Sequence, residues 1–390
     1  MSAPIKTYKN VDAFIVDNRP NIPVNCVYPH LVRQMARDFL DGFNGTPMYA
    51  VKANPSPLVL KELYAAGIRH FDTASMDEIK LINSMFPDAT CYFMAPSKFV
   101  GAAKEAYEKY GLRHFVADHQ SEIDRLLNDT GDDANIFIRL KAHSEEAVYE
   151  LSSKFGMANE DAVKALQYLE SKGRKANISF HVGSLCTHPD AFPRAVANAA
   201  GVAKEAGVKL NALDVGGGFP YKYPSMETPP LKDFFDAIDE AVKAADLPKD
   251  CEILCEPGRA LSANAQSLLL QIIMIKDDQI YLNDGIYGSM SEVGMTDLVR
   301  YPYRLVSCDG PRANETKGFG TYGPTCDTLD VMNMHFELPV DVQVGDWIEI
   351  GILGAYSNAV ASNFNGFSAD NWMVVEDDNA FPPTYYHAPV

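Results

Sequence analysis

No run of apolar residues in this 390-residue chain approaches the roughly 18 needed to cross a bilayer, so membrane anchoring is not expected. Cys-x-x-Cys pairs are missing too. The seven cysteines, Cys26, Cys91, Cys186, Cys251, Cys255, Cys308 and Cys326, form an odd and scattered set. Such a set speaks against a zinc site and for reduced thiols in a cytoplasmic protein. The opening "MSAPIKTYKNVDAFIVDNRP" is broken by Lys6, Lys9, Asp12, Asp17 and Arg19 and builds no secretory core. Cationic residues are in deficit as well: 34 Lys and Arg face 52 Asp and Glu, a formal charge of −18. Nucleic acid is therefore a poor partner, because phosphate backbones need a basic surface.

What is present is globular: 47% hydrophobic and 22% charged residues, in a chain longer than one ordinary core supports. From residue 48 to about 261, short apolar or β-branched stretches alternate eight times with segments of helical period. The strand candidates are "MYAVKA" (48–53), "HFDTAS" (70–75), "TCYFMAP" (90–96), "HFVAD" (114–118), "NIFIRLKA" (135–142), "NISFHVGS" (177–184), "LNALDVGGG" (210–218) and "CEILCEPG" (251–258). Between them lie helical candidates such as "SPLVLKELYAAG", "MDEIKLINSMF", "NEDAVKALQYLESKG" and "LKDFFDAIDEAVKAA". Strands alternating with helices imply parallel pairing, and eight such units predict an α/β fold, a (β/α)8 barrel of the TIM type.

After about residue 265 the pattern changes. "LLLQIIMIKDDQIYLNDGIYGS", "RLVSCDG" and "WIEIGILGAY" are strand-like and separated by turns, which predicts a second, mainly antiparallel β domain. The first 26 residues, with "AFIVD" expected as a strand, join it. The expected division is 27–265 for the barrel, with 1–26 and 266–390 for the β domain.

In such a barrel, functional groups collect at the C-terminal ends of the strands. Lys52, Asp72, Asp118, Arg139, His181, the glycines at 216–218 and Glu256 all fall there. Alternation along "MYAVKA" puts Lys52 on the face of Met48 and Ala50, where desolvation is expected to lower its proton affinity. "DVGGGFP" (214–220) follows an apolar strand with three glycines whose N–H groups can approach an anion. "EPGRA" (256–260) brings Gly258 and Arg259 to the next strand, and loops after strands seven and eight are the habitual phosphate position. A lysine facing a phosphate cradle points to capture of a phosphorylated aldehyde, pyridoxal 5′-phosphate. Each residue singly also fits ordinary structural work: helix caps for Asp72 and Asp118, a core histidine for His181, a rim ion pair for Arg139.

"YAVKAN", "FDTAS", "FHVGS", "DVGGGFP", "CEPGRAL", "YGPTCDTLD" and "GAYSNAVASNFNGF" together resemble the fold type III pyridoxal-phosphate decarboxylases of basic amino acids. These are the eukaryotic-type ornithine and lysine decarboxylases, and the resemblance spans nearly the whole chain. It implies an alanine racemase-like barrel and a carboxy-lyase that turns a cationic L-amino acid, ornithine or one like lysine, into a diamine of polyamine metabolism. It also implies that Lys52 carries the cofactor, His181 stacks on its ring and Glu256 faces the ring nitrogen. Ser184, Gly216, Gly217, Gly218, Gly258, Arg259 and Tyr356 match the phosphate site, with Asp72 and Arg139 beside the cofactor. Cys326 matches the thiol that protonates the substrate carbon after carbon dioxide leaves, a task within a thiol's range near neutral pH. Asp327, Asp297, Tyr287 and Phe364 fall to the substrate. Relatives are head-to-tail homodimers with shared active sites, "CDTLD" reaching the other subunit, and Lys154 and Asp330 match positions paired across that interface.

The chain departs from its relatives where the substrate is chosen. Those acting on ornithine carry Tyr-Asp a few residues after "YGS"; here Met295 and Thr296 stand there, with Asp297 one residue further on. A cation that loses one carboxylate partner loses about 1.5–3 kcal/mol. Lysine, another cationic amino acid, or a condensation of the homospermidine-synthase kind therefore stays open. Racemases on this barrel place arginine where Glu256 stands. Retention of Lys52, His181, Glu256 and Cys326 speaks for an enzyme over the silent relatives that act as binding proteins.

Overall fold

Eight short strands pair in parallel and close into a barrel: Thr46–Ala50, His70–Thr73, Thr90–Phe93, His114–Ala117, Asn135–Leu140, Ala176–Phe180, Leu210–Asp214 and Glu252–Cys255. The computed structural model describes residues 5–142, 147–149, 153–295 and 298–376. The strands are nearly continuous apolar runs because both faces are covered. Met48, Tyr92, Met94, Val116, Phe137, Ala212 and Leu254 form a small cluster of their own, separate from the larger core that includes the flanking helices.

The helices between strands start where the sequence caps them. Before Met76–Met85, the Ser75 hydroxyl accepts from Glu78 N–H at 3.3 Å, while the Glu78 carboxylate accepts from Ala74 N–H at 2.6 Å. That reciprocal cap satisfies two amides the helix cannot, and Ile79 and Ile82 then face the core. An aromatic cluster anchors the loop after the seventh strand. Phe219 packs at 5.1 Å from both Phe39 and Phe192, ring centre to ring centre, so the glycines before it are pulled tight across the strand ends.

"AFIVD" is helical, not a strand: it lies in Val11–Asn18. The Asn10 side chain caps that helix by accepting from Ala13 N–H at 2.9 Å, and Val11 and Ile15, four apart, bury the same face. The β domain is a nine-stranded sheet, in which Lys6–Tyr8, Asn371–Val375, Val24–Val27, Gln266–Lys276, Gln279–Leu282, Thr316–Tyr322 and Val331–Pro339 follow one another. Trp347–Ile350 joins Gln266–Lys276 to Tyr303–Val306. No helix among the described residues is long and apolar enough to cross a membrane.

A seam of buried amides joins the two parts. Asn54 Nδ2 donates to Gly354 O at 2.8 Å and Gln266 Oε1 at 3.3 Å, and Gln266 Nε2 donates to Asn25 Oδ1 at 2.8 Å. All three side chains are fully buried, so each bond carries more than it would in water.

Candidate active site

The barrel mouth is organised around the turn that carries Lys52. The first strand stops at Ala50, and Lys52 sits in a 3-10 turn, Val51–Ala53, instead of extending the strand face of Met48 and Ala50. The turn is held from both sides: Ala50 N–H donates to Pro257 O at 3.1 Å, and Tyr356 N–H donates to Ala53 O at 2.8 Å. Its head is thereby aimed into the mouth, with the side chain still 40% exposed.

Lys52 Nζ lies 2.8 Å from Asp72 Oδ2 at the end of the second strand. Burial pulls the lysine's pKa down, but Asp72, Glu256 and Tyr356 together outweigh it and hold Lys52 above its ordinary value. The expectation of a lowered proton affinity is thus corrected: two carboxylates at the mouth decide the sign.

Those carboxylates are unusual neighbours. Glu256 and Asp214 are 7% and 0% exposed, and burial raises both, Asp214 to about 6 and Glu256 well above the carboxylate range; Asp214 pushes Glu256 further up, whereas a hydrogen bond from Glu256 holds Asp214 down. Asp214 Oδ1 accepts from Gly216 N–H at 2.9 Å, whereas Oδ2 is buried with no donor from any other described residue. A proton held on Glu256 and shared with Asp214 satisfies that oxygen.

His181 ends the sixth strand, and its Nδ1 accepts from Gly183 N–H at 3.0 Å, which places the ring proton on Nε2. Burial, then the Arg139 and Lys52 charges, push its pKa well below the usual value, so the ring is neutral. The glycine loop passes so close that only glycine fits. A Cβ on Gly216 would stand 1.9 Å from Phe180 O, and one on Gly217 2.9 Å from His181 Nε2. Gly218 O accepts from Cys186 N–H at 2.9 Å, which ties the loop to the short strand Ser184–Cys186 that Ser184 begins.

The N–H groups of Gly217, Gly218, Gly258 and Arg259 find no acceptor among the described residues. Tyr356, held at a left-handed φ of 54°, brings its hydroxyl to 3.4 Å from where a Gly258 Cβ would stand, and its ring lies 5.1 Å from Arg259 Cζ. Four unpaired amides, a hydroxyl and a guanidinium beside an amine fit a phosphorylated aldehyde. Arg139 stands at the rim with its guanidinium 5.5 Å from the Phe155 ring. Asp118 is not in the mouth's charge network; its Oδ2 accepts from Gly156 N–H at 2.9 Å and pins that loop.

A second cluster lies on the β domain. Cys326 is exposed, its Sγ 3.3 Å from Asn365 Oδ1. Asp327 accepts from the Tyr287 hydroxyl at 2.6 Å, a bond that keeps its carboxyl below the usual range, and the Tyr287 ring packs at 4.7 Å on Phe364. Asp330 is 2% exposed and holds this loop by accepting from Ile286 N–H, Thr325 N–H and the Thr325 hydroxyl. Its bonds therefore run within the chain, and Lys154 lies over Phe155 at 5.0 Å. No hydrogen bond or ion pair among the described residues links this cluster to Lys52. Asp297 and Thr296 lie outside the described residues.

Sequence reasoning assigned no part to Asp214, Asn54 or Glu292, although the first two lie in quoted segments. A buried acid, amide or carboxylate reads in sequence like any surface polar residue, and only its neighbours mark it.

A closed parallel barrel whose mouth joins a lysine, a protonated carboxyl pair and a cup of free amides defines a barrel-type pyridoxal-phosphate enzyme. Residues 30–263 match the pyridoxal-binding domain of the pyridoxal-dependent decarboxylases. The chain belongs to that family, and it is a pyridoxal 5′-phosphate-dependent carboxy-lyase. It is 32% identical over 338 residues to the lysine/ornithine decarboxylase of Selenomonas ruminantium, covering 84% of this chain and 83% of that one. Among solved structures it resembles the lysine/ornithine decarboxylase of Vibrio vulnificus complexed with putrescine (TM-score 0.80, 30% identity, 94% and 97% covered). It also resembles the arginine decarboxylase of Paramecium bursaria Chlorella virus bound to agmatine (TM-score 0.83, 26% identity, 94% and 99% covered).

Proposed function

We propose that the protein releases the α-carboxylate of a cationic L-amino acid, ornithine or lysine, as carbon dioxide and returns the diamine, acting in the cytoplasm as a homodimer with shared sites. The observation that carries this reading is the Lys52–Asp72 pair beside the Glu256–Asp214 carboxyls under a cup of free amides. All seven cysteines are free thiols, in keeping with a reducing compartment. We divide the chain into a barrel, 27–265, and a β domain, 1–26 with 266–390.

When bound, pyridoxal 5′-phosphate supplies an electron sink for the pair left behind by carbon dioxide. Lys52 would hold it, and the amides of Gly217, Gly218, Gly258 and Arg259, with Ser184 and Tyr356, would bind its phosphate. His181, neutral and fixed by Gly183, presents a flat ring that stacks without adding charge. The proton on the Glu256–Asp214 pair supplies one for the ring nitrogen, which strengthens the sink.

Cys326 would return a proton to Cα, and Asp327, oriented by Tyr287, would bind the distal cation. Both are exposed or half-exposed on their own chain, among Leu329 at 69%, Val360 at 48% and Phe364 at 41% exposure. Such an apolar surround suits a second copy placing them over its neighbour's mouth. Likeness to an arginine decarboxylase favours arginine as a second candidate substrate. Incubation with ornithine, lysine, arginine and their D-enantiomers, with products read by mass and carbon dioxide counted, tests the reading. A diamine with stoichiometric gas supports it; racemisation without gas, or a condensed polyamine, overturns it.

A further inference from the structure

Glu292 has no role in the chemistry above, yet it closes the back of the phosphate cup. Its carboxylate is 6% exposed and takes three donors: Arg259 Nη1 at 3.0 Å, Arg259 Nη2, and the Tyr301 hydroxyl at 2.9 Å. Arg259 is 4% exposed and also donates from Nη1 to the Tyr223 hydroxyl at 2.7 Å. Its Nε is buried with no partner among the described residues. Three of the guanidinium's five N–H groups are thus taken, two of them by an anion of the chain itself.

A phosphate arriving at this cup meets a cation whose charge is already balanced. We propose that Glu292 is the resident counter-anion of the phosphate site, competing with the cofactor's phosphate for Arg259 and so setting how firmly the cofactor is held. The proposal rests on the reading of Arg259 as a phosphate neighbour. Its physical basis is that a buried cation stripped of its partner is costly, and any anion that then binds there recovers that cost. Without Glu292, the phosphate becomes the only anion available to Arg259. With Glu292, the cofactor gains less from the same cation.

The test is Glu292→Gln in the full-length chain, a change that keeps size and an acceptor but removes the charge. Wild type and variant, stripped of cofactor, are titrated with pyridoxal 5′-phosphate and separately with pyridoxal, which lacks the phosphate. The variant is expected to bind the phosphorylated form about 10-fold tighter, with pyridoxal unchanged, the size expected for one added partly screened charge contact. Inorganic phosphate is expected to raise the melting temperature of the variant more than that of wild type. Unchanged or weaker binding of the phosphorylated form overturns the proposal, as does a parallel change for both ligands, which marks a purely structural pair. If the variant does not fold, Tyr301→Phe, which takes one donor from the carboxylate and leaves its charge to Arg259, is titrated instead and is expected to bind the phosphorylated form more weakly with pyridoxal unchanged; no change, or an equal change for both ligands, overturns the proposal. The two readings fail separately. Wild type that captures neither ligand sinks the decarboxylase assignment, whereas normal capture without a phosphate-selective gain sinks this inference alone.

Discussion

Asp72 sets one oxygen 2.8 Å from Lys52 Nζ and keeps the other buried without a partner among the described residues. The lysine is therefore held cationic by a carboxylate with room for a second donor. Capture of an aldehyde needs the neutral amine, so Asp72 opposes that step while orienting the group that performs it. Asp72→Asn should move the pH midpoint for cofactor capture down by about 1–3 units. Absorbance-monitored capture across the neutral-to-alkaline range checks this, and superimposable profiles would contradict it. Lys52→Ala should abolish turnover.

Two individually dead chains should repair each other. With Lys52→Ala and Cys326→Ala mixed, random reassortment leaves half the dimers mixed, each with one complete site of two, so about one quarter of wild-type activity should return. No recovery after subunit exchange, verified by tagged copies, would refute the shared site.

Asp327→Asn should act on substrate binding more than on chemistry. Losing one charge-assisted bond of about 1.5–3 kcal/mol predicts KM higher by roughly 10- to 150-fold. Tyr287→Phe should give a smaller rise, because it orients the carboxylate and does not replace it. Steady-state kinetics that show kcat falling with KM unchanged would remove Asp327 from the distal-cation role.

Asp214 links pH to stability with a definite sign. Its pKa is raised on folding to about 6, so the stability it contributes is full below the ordinary carboxylate range and is lost as pH rises through about 6. Asp214→Asn carries no such charge and should keep that contribution at every pH. Denaturant melts of the cofactor-free chain should therefore show the variant gaining on wild type from about pH 4 to above 6. Parallel curves would mean that the Asp214–Glu256 pair is ionised in both states.

Much of the site was legible because chemistry and fold share the same residues. "DVGGGFP" marks, from sequence, a place where three glycines serve an anion cradle or a tight strand-to-helix turn, and the structure shows why glycine is needed: a Cβ on Gly216 would lie 1.9 Å from Phe180 O. "AFIVD" misled because a short apolar stretch has no period long enough to separate strand from helix, and the decisive cap, Asn10, lies outside it. Lys52 misled in sign, because the second strand's Asp72 and the eighth strand's Glu256 meet it only when the barrel closes.

Alternation of apolar and helical segments was enough by itself to predict a parallel sheet covered on both faces, and the count of eight units favoured a closed barrel over a doubly wound open sheet, which shares the same alternation. The order of reactive residues along the chain likewise placed them at one rim. What folding alone settled was charge and pairing: which acid holds a proton, which cation is already matched, and which loop faces outward. Those depend on distances of a few ångströms between groups far apart in the chain, and Coulomb energies at such range are decided by burial that no linear pattern encodes.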